Sequence, residues 1–262
     1  MEIWHIPVVF TTGILAGFIN TLAGGGSLLT LPILIFLGLP TAVANGTSRI
    51  AIVAQCAFAV AGFKKKGVSN FKLNLLFSIP AISGAIIGAY FAVDISDILF
   101  RRVLAVIMLL VLGLILWNPR LRQTESPAEN HQNSGGNSNS LGRRQLITAM
   151  TVLFFIGIYG GFIQVGVGFI IIAALTTITK FNLVVTNSHK VFIAGIYTVF
   201  ALIVFAFNGK VCWEIGLCLA AGMGLGGWIG SHWAVTRGER WIRLVLTICV
   251  IAMVIKLSGL IP

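Results

Sequence analysis

Apolar runs follow one another along this chain with little polar alternation, and ten can be marked, five on either side of a polar break. In the first half they cover residues 6–22, 27–39, 43–63, 73–93 and 103–117. In the second they cover residues 146–165, 169–178, 184–207, 211–235 and 241–257. Runs near or above about 18 apolar residues are long enough, as helices, to span a hydrocarbon core roughly 30 Å thick. The pattern predicts an all-α, polytopic transmembrane helical bundle. The second run of each half is too short for a comfortable crossing, reaching only about 15–20 Å at 1.5 Å per residue. Gly24, Gly25 and Gly26 precede the first short run, and Gly166 and Gly168 the second. A short broken or re-entrant helix is therefore expected in each half. A tight turn between spans and a hairpin of half-helices meeting inside the membrane both satisfy the pattern.

The two halves repeat one another. Residues 13–20 read GILAGFIN and residues 157–164 read GIYGGFIQ, an offset of 157 − 13 = 144. Each block is followed by its glycine cluster, a short apolar run and a polar knot ending in a base. The knots are Asn45, Gly46, Thr47, Ser48 and Arg49 in the first half, and Asn187, Ser188, His189 and Lys190 in the second. Duplicated membrane segments of this kind are the sequence signature of transporters built from inverted repeats. The division is a first repeat over 1–118, a linker over 119–144 and a second repeat over 145–262. The linker, rich in Ser, Asn, Gln and Gly, buries too little apolar surface to offset its ordering entropy and is expected to be disordered.

Charge placement supports inversion. If each half crosses an odd number of times, Lys64, Lys65, Lys66, Lys72, Arg120, Arg122, Arg143, Arg144, Lys180, Arg237, Arg240 and Arg243 share one side. The other side receives only Arg101, Arg102, Lys210 and Lys256, together with Glu2, Asp94, Asp97 and Glu214. Basic loops mark the cytoplasm. The expectation is a multi-pass protein of a bacterial cytoplasmic membrane, with a cytoplasmic linker and both termini outside. The beginning of the chain lacks the basic region and cleavage site of a signal peptide, so its first run should stay as a span.

Composition agrees and narrows the partners. The chain is 57% hydrophobic and 10% charged, against about 25% charged for a soluble domain. A net charge of +11 carried mostly by bases in short loops is a topology signal, and no soluble module is present to bind nucleic acid. The four cysteines show no CxxC spacing and no His/Cys cluster resembles a zinc site, so neither metal nor cofactor is expected. The lipid bilayer and a small anionic substrate are the expected partners, and a homo-oligomer is compatible with the chain.

The candidate site comes from polar residues inside apolar runs. Arg49 and Lys190 lie about six residues into their runs, and no Asp or Glu lies well inside any run. An intramembrane base is costly and normally faces a cavity or a partner, and an uncompensated positive charge there attracts anions. Snorkelling to the headgroups is the alternative. Gly24, Gly25, Gly26, Gly166 and Gly168 would present backbone amides at helix starts to an anion, or serve close helix packing. Asn20 and Gln164 could donate from equivalent positions, or hold helices together. Asn45, Thr47, Ser48, Asn187 and Ser188 surround the two bases. His189 could carry a coupled proton, although a neutral hydrogen-bonded filler is the preferred reading. Gln55 and Tyr197 fall where they could line the same cavity.

The pair GFINTLAGGGSLLTLPIL and ANGTSRIAIVAQ in the first half, with GGFIQVGVGFIIIAAL and TNSHKVFIAGIYT in the second, resembles the sulfite exporter TauE/SafE family. The likeness covers nearly the whole chain outside the linker. It implies transport of small sulfur-containing anions, such as sulfite or organosulfonates, across the cytoplasmic membrane. Departures are the GVG that replaces GGG and the His189 placed between Ser188 and Lys190. A secondary transporter working by alternating access, exporting such an anion, is the leading expectation; an anion channel comes next. A membrane-embedded enzyme is a third class, disfavoured because no embedded carboxylate pair, HExxH or GxSxG appears.

Overall fold

The structure is a computed structural model, and it describes residues 5–22, 24–68, 71–100, 102–103, 106 and 142–234. The predicted run over 241–257, most of that over 103–117, and linker residues 119–141 lie outside the described residues. The described chain is helical without a strand. Helices α1 (His5–Leu22), α2 (Ser27–Phe36), α3 (Thr41–Lys65) and α4 (Phe71–Val93) form the first half. They are followed by the start of α5, helical at 97–100 and 102–103. The second half holds α6 (Arg143–Phe162), α7 (Val167–Thr179) and α8 (Leu183–Phe207), then α9 over 213–234. Four of these, α3, α4, α6 and α8, are long and apolar enough to cross a membrane. Arg143 and Arg144, assigned above to the linker, instead form the first turn of α6. Gln145 Oε1 accepts from Gly142 N at 3.2 Å, satisfying a donor at the helix start. α8 is capped by Asn182, whose Oδ1 accepts from Val185 N at 2.8 Å.

The halves are antiparallel. Residues at the start of α3 meet the end of α8: Cys212 N donates to Thr47 Oγ1 at 2.9 Å, and Gly46 lies against Phe205 and Lys210. At the opposite end, Ser188 Oγ near the start of α8 donates to Val68 O just past α3. Lys64, Lys65 and Lys66 thus share an end with the start of α8, and Lys65 Nζ sits 5.4 Å over the Trp228 ring near the end of α9. Thr41, Asp97 and Lys210 share the other end, where Asp97 Oδ1 accepts from Thr41 N and Thr41 Oγ1 at the start of α3. A carboxylate there satisfies orphan amides and the positive end of the helix dipole. This is the inverted arrangement predicted from charge parity.

Small residues set the closest helix pairs. Gly13 and Gly17 of α1 meet Leu219, Gly222 and Met223 of α9, while Gly222 and Gly226 meet Phe10 and Ile14. The same four-residue spacing joins Gly157 and Gly161 of α6 to Ala81 and Ala85 of α4, and Gly84 and Gly88 of α4 to Phe154 and Ile158. Four residues is about one helical turn, so each pair places two glycines on one face and lets backbones touch. The repeated GILAGFIN and GIYGGFIQ blocks therefore contain packing faces.

Candidate functional site

The breaks between α1 and α2 and between α6 and α7 lie inside the bundle and touch each other. A Cβ on Gly24 would sit 2.4 Å from Gly168 Cα, and one on Gly168 2.3 Å from Gly24 Cα, so neither position has room for a side chain. Gly24 has φ +88° and Gly166 φ +70°, conformations that glycine adopts at no steric cost. Ser27 ties the breaks together: its hydroxyl donates to Gln164 O at 3.0 Å and accepts from Gly166 N at 3.3 Å. Several break amides are used internally, Gly24 N on Asn20 O at 2.9 Å and Gly26 N on Asn20 Oδ1 at 3.3 Å. The glycines' packing role is thus visible. An anion at these helix starts would have to share or displace these bonds.

Two buried bases clasp the ends of the first helices, each from the opposite half. Arg49 Nη1 donates to Gly160 O at 3.3 Å and Gln164 Oε1 at 3.1 Å. Its Nη2 donates to Gly161 O at 2.5 Å and Asn45 Oδ1 at 3.4 Å. Asn45 Nδ2 adds a bond to Phe162 O at 2.7 Å. The guanidinium also lies 4.6 Å over the Phe205 ring, a cation–π contact. Across the molecule, Lys190 Nζ donates to Asn20 O at 2.9 Å and Thr21 O at 2.8 Å, and Asn187 Nδ2 to Leu22 O at 3.1 Å. The carbonyls are the terminal ones of α6 and α1, where the helix dipole leaves partial negative charge. That is the physical reason two cations are buried here without a carboxylate. Measured from the observed helix starts, Arg49 is roughly 12 Å and Lys190 roughly 10 Å along its helix, deeper than the sequence runs implied.

Between the clasps lies one small cavity, lined by Asn20, Gly24, Ser27, Ile52, Gln55, Cys56, Gln164, Val167, Gly168, Lys190, Val191, Ala194 and Tyr197. The space open to the centre of a water molecule is about 20 Å³, room for about one water. Its polar wall is internally bonded. Asn20 Nδ2 donates to Gln55 Oε1 at 2.6 Å, Gln55 Nε2 to Thr21 Oγ1 at 2.7 Å, and Gln164 Nε2 to Thr198 Oγ1 at 2.6 Å. Gln164 is held at φ +59°, an uncommon conformation for a residue other than glycine. Among the described residues, Lys190 is the only charged one in the lining. Its ammonium has three N–H groups and two are committed to carbonyls, leaving one for a ligand.

A profile of the family described as sulfite exporter TauE/SafE matches residues 9–257. The chain belongs to that family. Among similar proteins are three bacterial chains each named "Probable membrane transporter protein". ORF9 of Sinorhizobium sp is 26% identical over 252 residues, 96% of this chain and 92% of its own length. The Haemophilus influenzae protein is 26% identical over 252 residues, 96% of this chain and 94% of its own. YfcA of Escherichia coli K12 is 27% identical over 256 residues, 96% of this chain and 89% of its own. No solved structure matches. The chain is accordingly a multi-pass membrane transporter of the TauE/SafE type.

Of the candidates read from sequence, Asn20, Gly24, Gln164, Gly168 and Lys190 line the cavity of this TauE/SafE protein, as do Gln55 and Tyr197. Arg49, Asn45 and Asn187 form the clasps instead. Gly25, Gly26 and Gly166 lie in the breaks outside the lining. Thr47 holds Cys212 N; Ser48 Oγ donates back to Asn45 O at 2.9 Å; Ser188 holds Val68. His189 Nδ1 bonds Asn74 Oδ1, and its ring stacks on Phe181 at 5.3 Å. Ser27, Ile52, Cys56, Val167, Val191 and Ala194 were not singled out. A helical stride would have found several of them, because Lys190, Ala194 and Tyr197 lie on one face of α8, and Ile52, Gln55 and Cys56 on one face of α3.

Proposed function

We propose that this TauE/SafE protein is a secondary transporter of a small anion, a sulfur-containing oxyanion such as sulfite or an organosulfonate. It works by alternating access, as an exporter across the bacterial cytoplasmic membrane, with both termini outside. The observation that carries the reading is the cavity at the meeting of the two broken segments. There an ammonium with one uncommitted proton stands among amide, hydroxyl and thiol groups, and no carboxylate is among the described lining residues. Such a wall favours an anion and offers a cation no charged ligand. A space holding about one water is smaller than any oxyanion of sulfur, which supports a carrier that must open over an open pore.

The test is uptake into proteoliposomes of radiolabelled sulfite, sulfate, sulfoacetate and short carboxylates, by the wild type and by Lys190→Gln. If the ammonium contributes ~3 kcal/mol to holding the anion, half-saturation rises about a hundredfold, at 1.4 kcal/mol per tenfold. Wild-type uptake of every transported anion by Lys190→Gln would overturn the anion site.

A further inference from the structure

Neither hydrophobic core of the protein coincides with a half of its sequence. The first is built mainly from α1, α2 and α3 together with Ile215, Leu219, Met223 and Ala234 of α9, and it also takes in Phe100 of α5, Ile163 and Val165 at the second break and Val191 of α8. The second is built from α6, α7 and α8 together with Phe77, Ala81, Ala85 and Ala89 of α4. α4 packs on α6 and α8 of the other half, and α9 lies along α1 and α3, with Gly224 against Phe58 and Gly227 against Gln55. We infer that the bodies that move during transport are α1–α3 with α9 and α6–α8 with α4, each borrowing one helix from the other half of the sequence. The inference rests on the alternating-access reading above.

Polar bonds are concentrated between these bodies, and paired glycine faces inside them. Inside each, glycine faces bring backbones into direct contact, a packing that cannot slide without opening voids. Between them lie the cavity, a set of polar bonds, the packing of α3 along α8 with Gly195 against Cys56, and one backbone contact where Gly24 meets Gly168. Asn45 and Arg49 of the first body hold α6 of the second near the Thr41 end. Asn187 and Lys190 of the second body hold α1 of the first near the Lys65 end. Each clasp therefore closes one end. Opening one end breaks one clasp and leaves the other intact, the arrangement that alternating access requires.

An independent observation sits where the chain crosses between bodies. α3 ends with Val68 N donating to Phe63 O at 3.1 Å, and α8 ends with Lys210 N donating to Phe205 O at 2.9 Å. Between each pair is a glycine in the left-handed region, Gly67 at φ +71° and Gly209 at φ +64°. A Cβ at either would meet nothing within 4 Å. The two crossovers are thus the same glycine-capped turn, at equivalent positions with an offset of 209 − 67 = 142, and at both the glycine itself faces open space. Hinges commonly fall at such element-terminal residues.

The experiment uses the full chain in proteoliposomes with its four cysteines replaced by alanine and pairs of exposed residues replaced by cysteine for spin labels. Ile6→Cys with Ile229→Cys, and Tyr90→Cys with Ile147→Cys, lie in different halves of the sequence but in one body. Ile6→Cys with Tyr90→Cys reports the Thr41 end across bodies, and Ile147→Cys with Ile229→Cys the Lys65 end. Distances are read without and with sulfite, and in Arg49→Gln, which weakens one clasp without needing a substrate. The expected result is that both same-body distances stay fixed while the cross-body distances change, lengthening at one end as they shorten at the other. Arg49→Gln shifts the Ile6–Tyr90 distribution to longer values. Fixed cross-body distances with moving same-body ones would show that the sequence halves move as units, and overturn the inference. Four invariant distances in every condition would overturn it as well. Failure of the anion site is read separately, by uptake in Lys190→Gln.

Discussion

Gly24 and Gly38 share a backbone conformation, φ +88°, but not an environment. A Cβ on Gly38 meets nothing within 4 Å, whereas one on Gly24 falls 2.4 Å from Gly168 Cα, about 1 Å inside ordinary contact at 3.4 Å. Gly38→Ala therefore measures the conformational cost alone, roughly 1–2 kcal/mol for a left-handed residue bearing a Cβ. Gly24→Ala adds the cost of forcing the two breaks apart, roughly 1–3 kcal/mol for overpacking. It also pulls Ser27 Oγ from Gln164 O and Gly166 N, at roughly 1 kcal/mol for each buried bond. Gly168→Ala supplies the packing cost without the left-handed strain, since only Gly24 of the two has positive φ. Thermal unfolding of purified protein in detergent should thus rank wild type above Gly38→Ala, and Gly38→Ala above Gly24→Ala. Gly168→Ala should fall clearly below wild type, and both crowded variants should lose uptake in proteoliposomes. Equal unfolding temperatures for Gly24→Ala and Gly38→Ala would show that the breaks do not meet, and with that the shared site would fall.

Reporter fusions after Lys66, near Gly135 and after Gly238 should read cytoplasm, and fusions near Asp97 and after Pro262 the outside; opposite signs at Lys66 and Gly238 would contradict the antiparallel halves. Deleting about ten residues within 125–140 should leave insertion and uptake near wild type, because that composition orders little, and loss of insertion would show that the segment packs on the bundle. Arg49→Gln should lower the unfolding temperature by orphaning the Gly160 and Gly161 carbonyls, while half-saturation for a transported anion stays within about threefold (~0.6 kcal/mol). A hundredfold rise there would make Arg49 a ligand after all.

Much of the fold was legible in the chain because helix-length apolar runs and loop bases are direct records of span and side. The short second segments and the antiparallel halves follow from run length and parity, whereas the glycine clusters left a turn between spans and a buried break equally open. Partner choice was not legible: periodicity gives a helix an apolar face but not the helix it meets. The GxxxG spacing in Gly13 and Gly17, or in Gly84 and Gly88, predicts a close neighbour and leaves its identity open. Nor could the sequence show that backbone carbonyls would serve as the bases' partners, since every residue carries one. Arg143 and Arg144 were placed in the linker because hydropathy ends a helix at its first charge, whereas the backbone continues until its hydrogen bonds end.

The register of the two bases explains why one faces the cavity and the other does not. Taking Arg49 and Lys190 as equivalents gives an offset of 190 − 49 = 141. Three other pairs on these helices give 142: Asn45 with Asn187, Ile52 with Ala194, Gln55 with Tyr197. In that register Lys190 corresponds to Ser48, and Arg49 to Val191. One residue is about 100° around a helix, enough to turn the guanidinium from the cavity wall toward the end of α6. A second ammonium in the cavity would repel the first with little space for a counter-charge. Displaced by one position, the first half's base spends its Nη donors on carbonyl and amide oxygens and becomes a clasp. The second half's base both clasps α1 and keeps a proton for the cavity. In the proposed anion site the ligand would take the third N–H of this ammonium while the other two hold Asn20 O and Thr21 O, so one side chain would belong to both the cavity and the clasp at the Lys65 end.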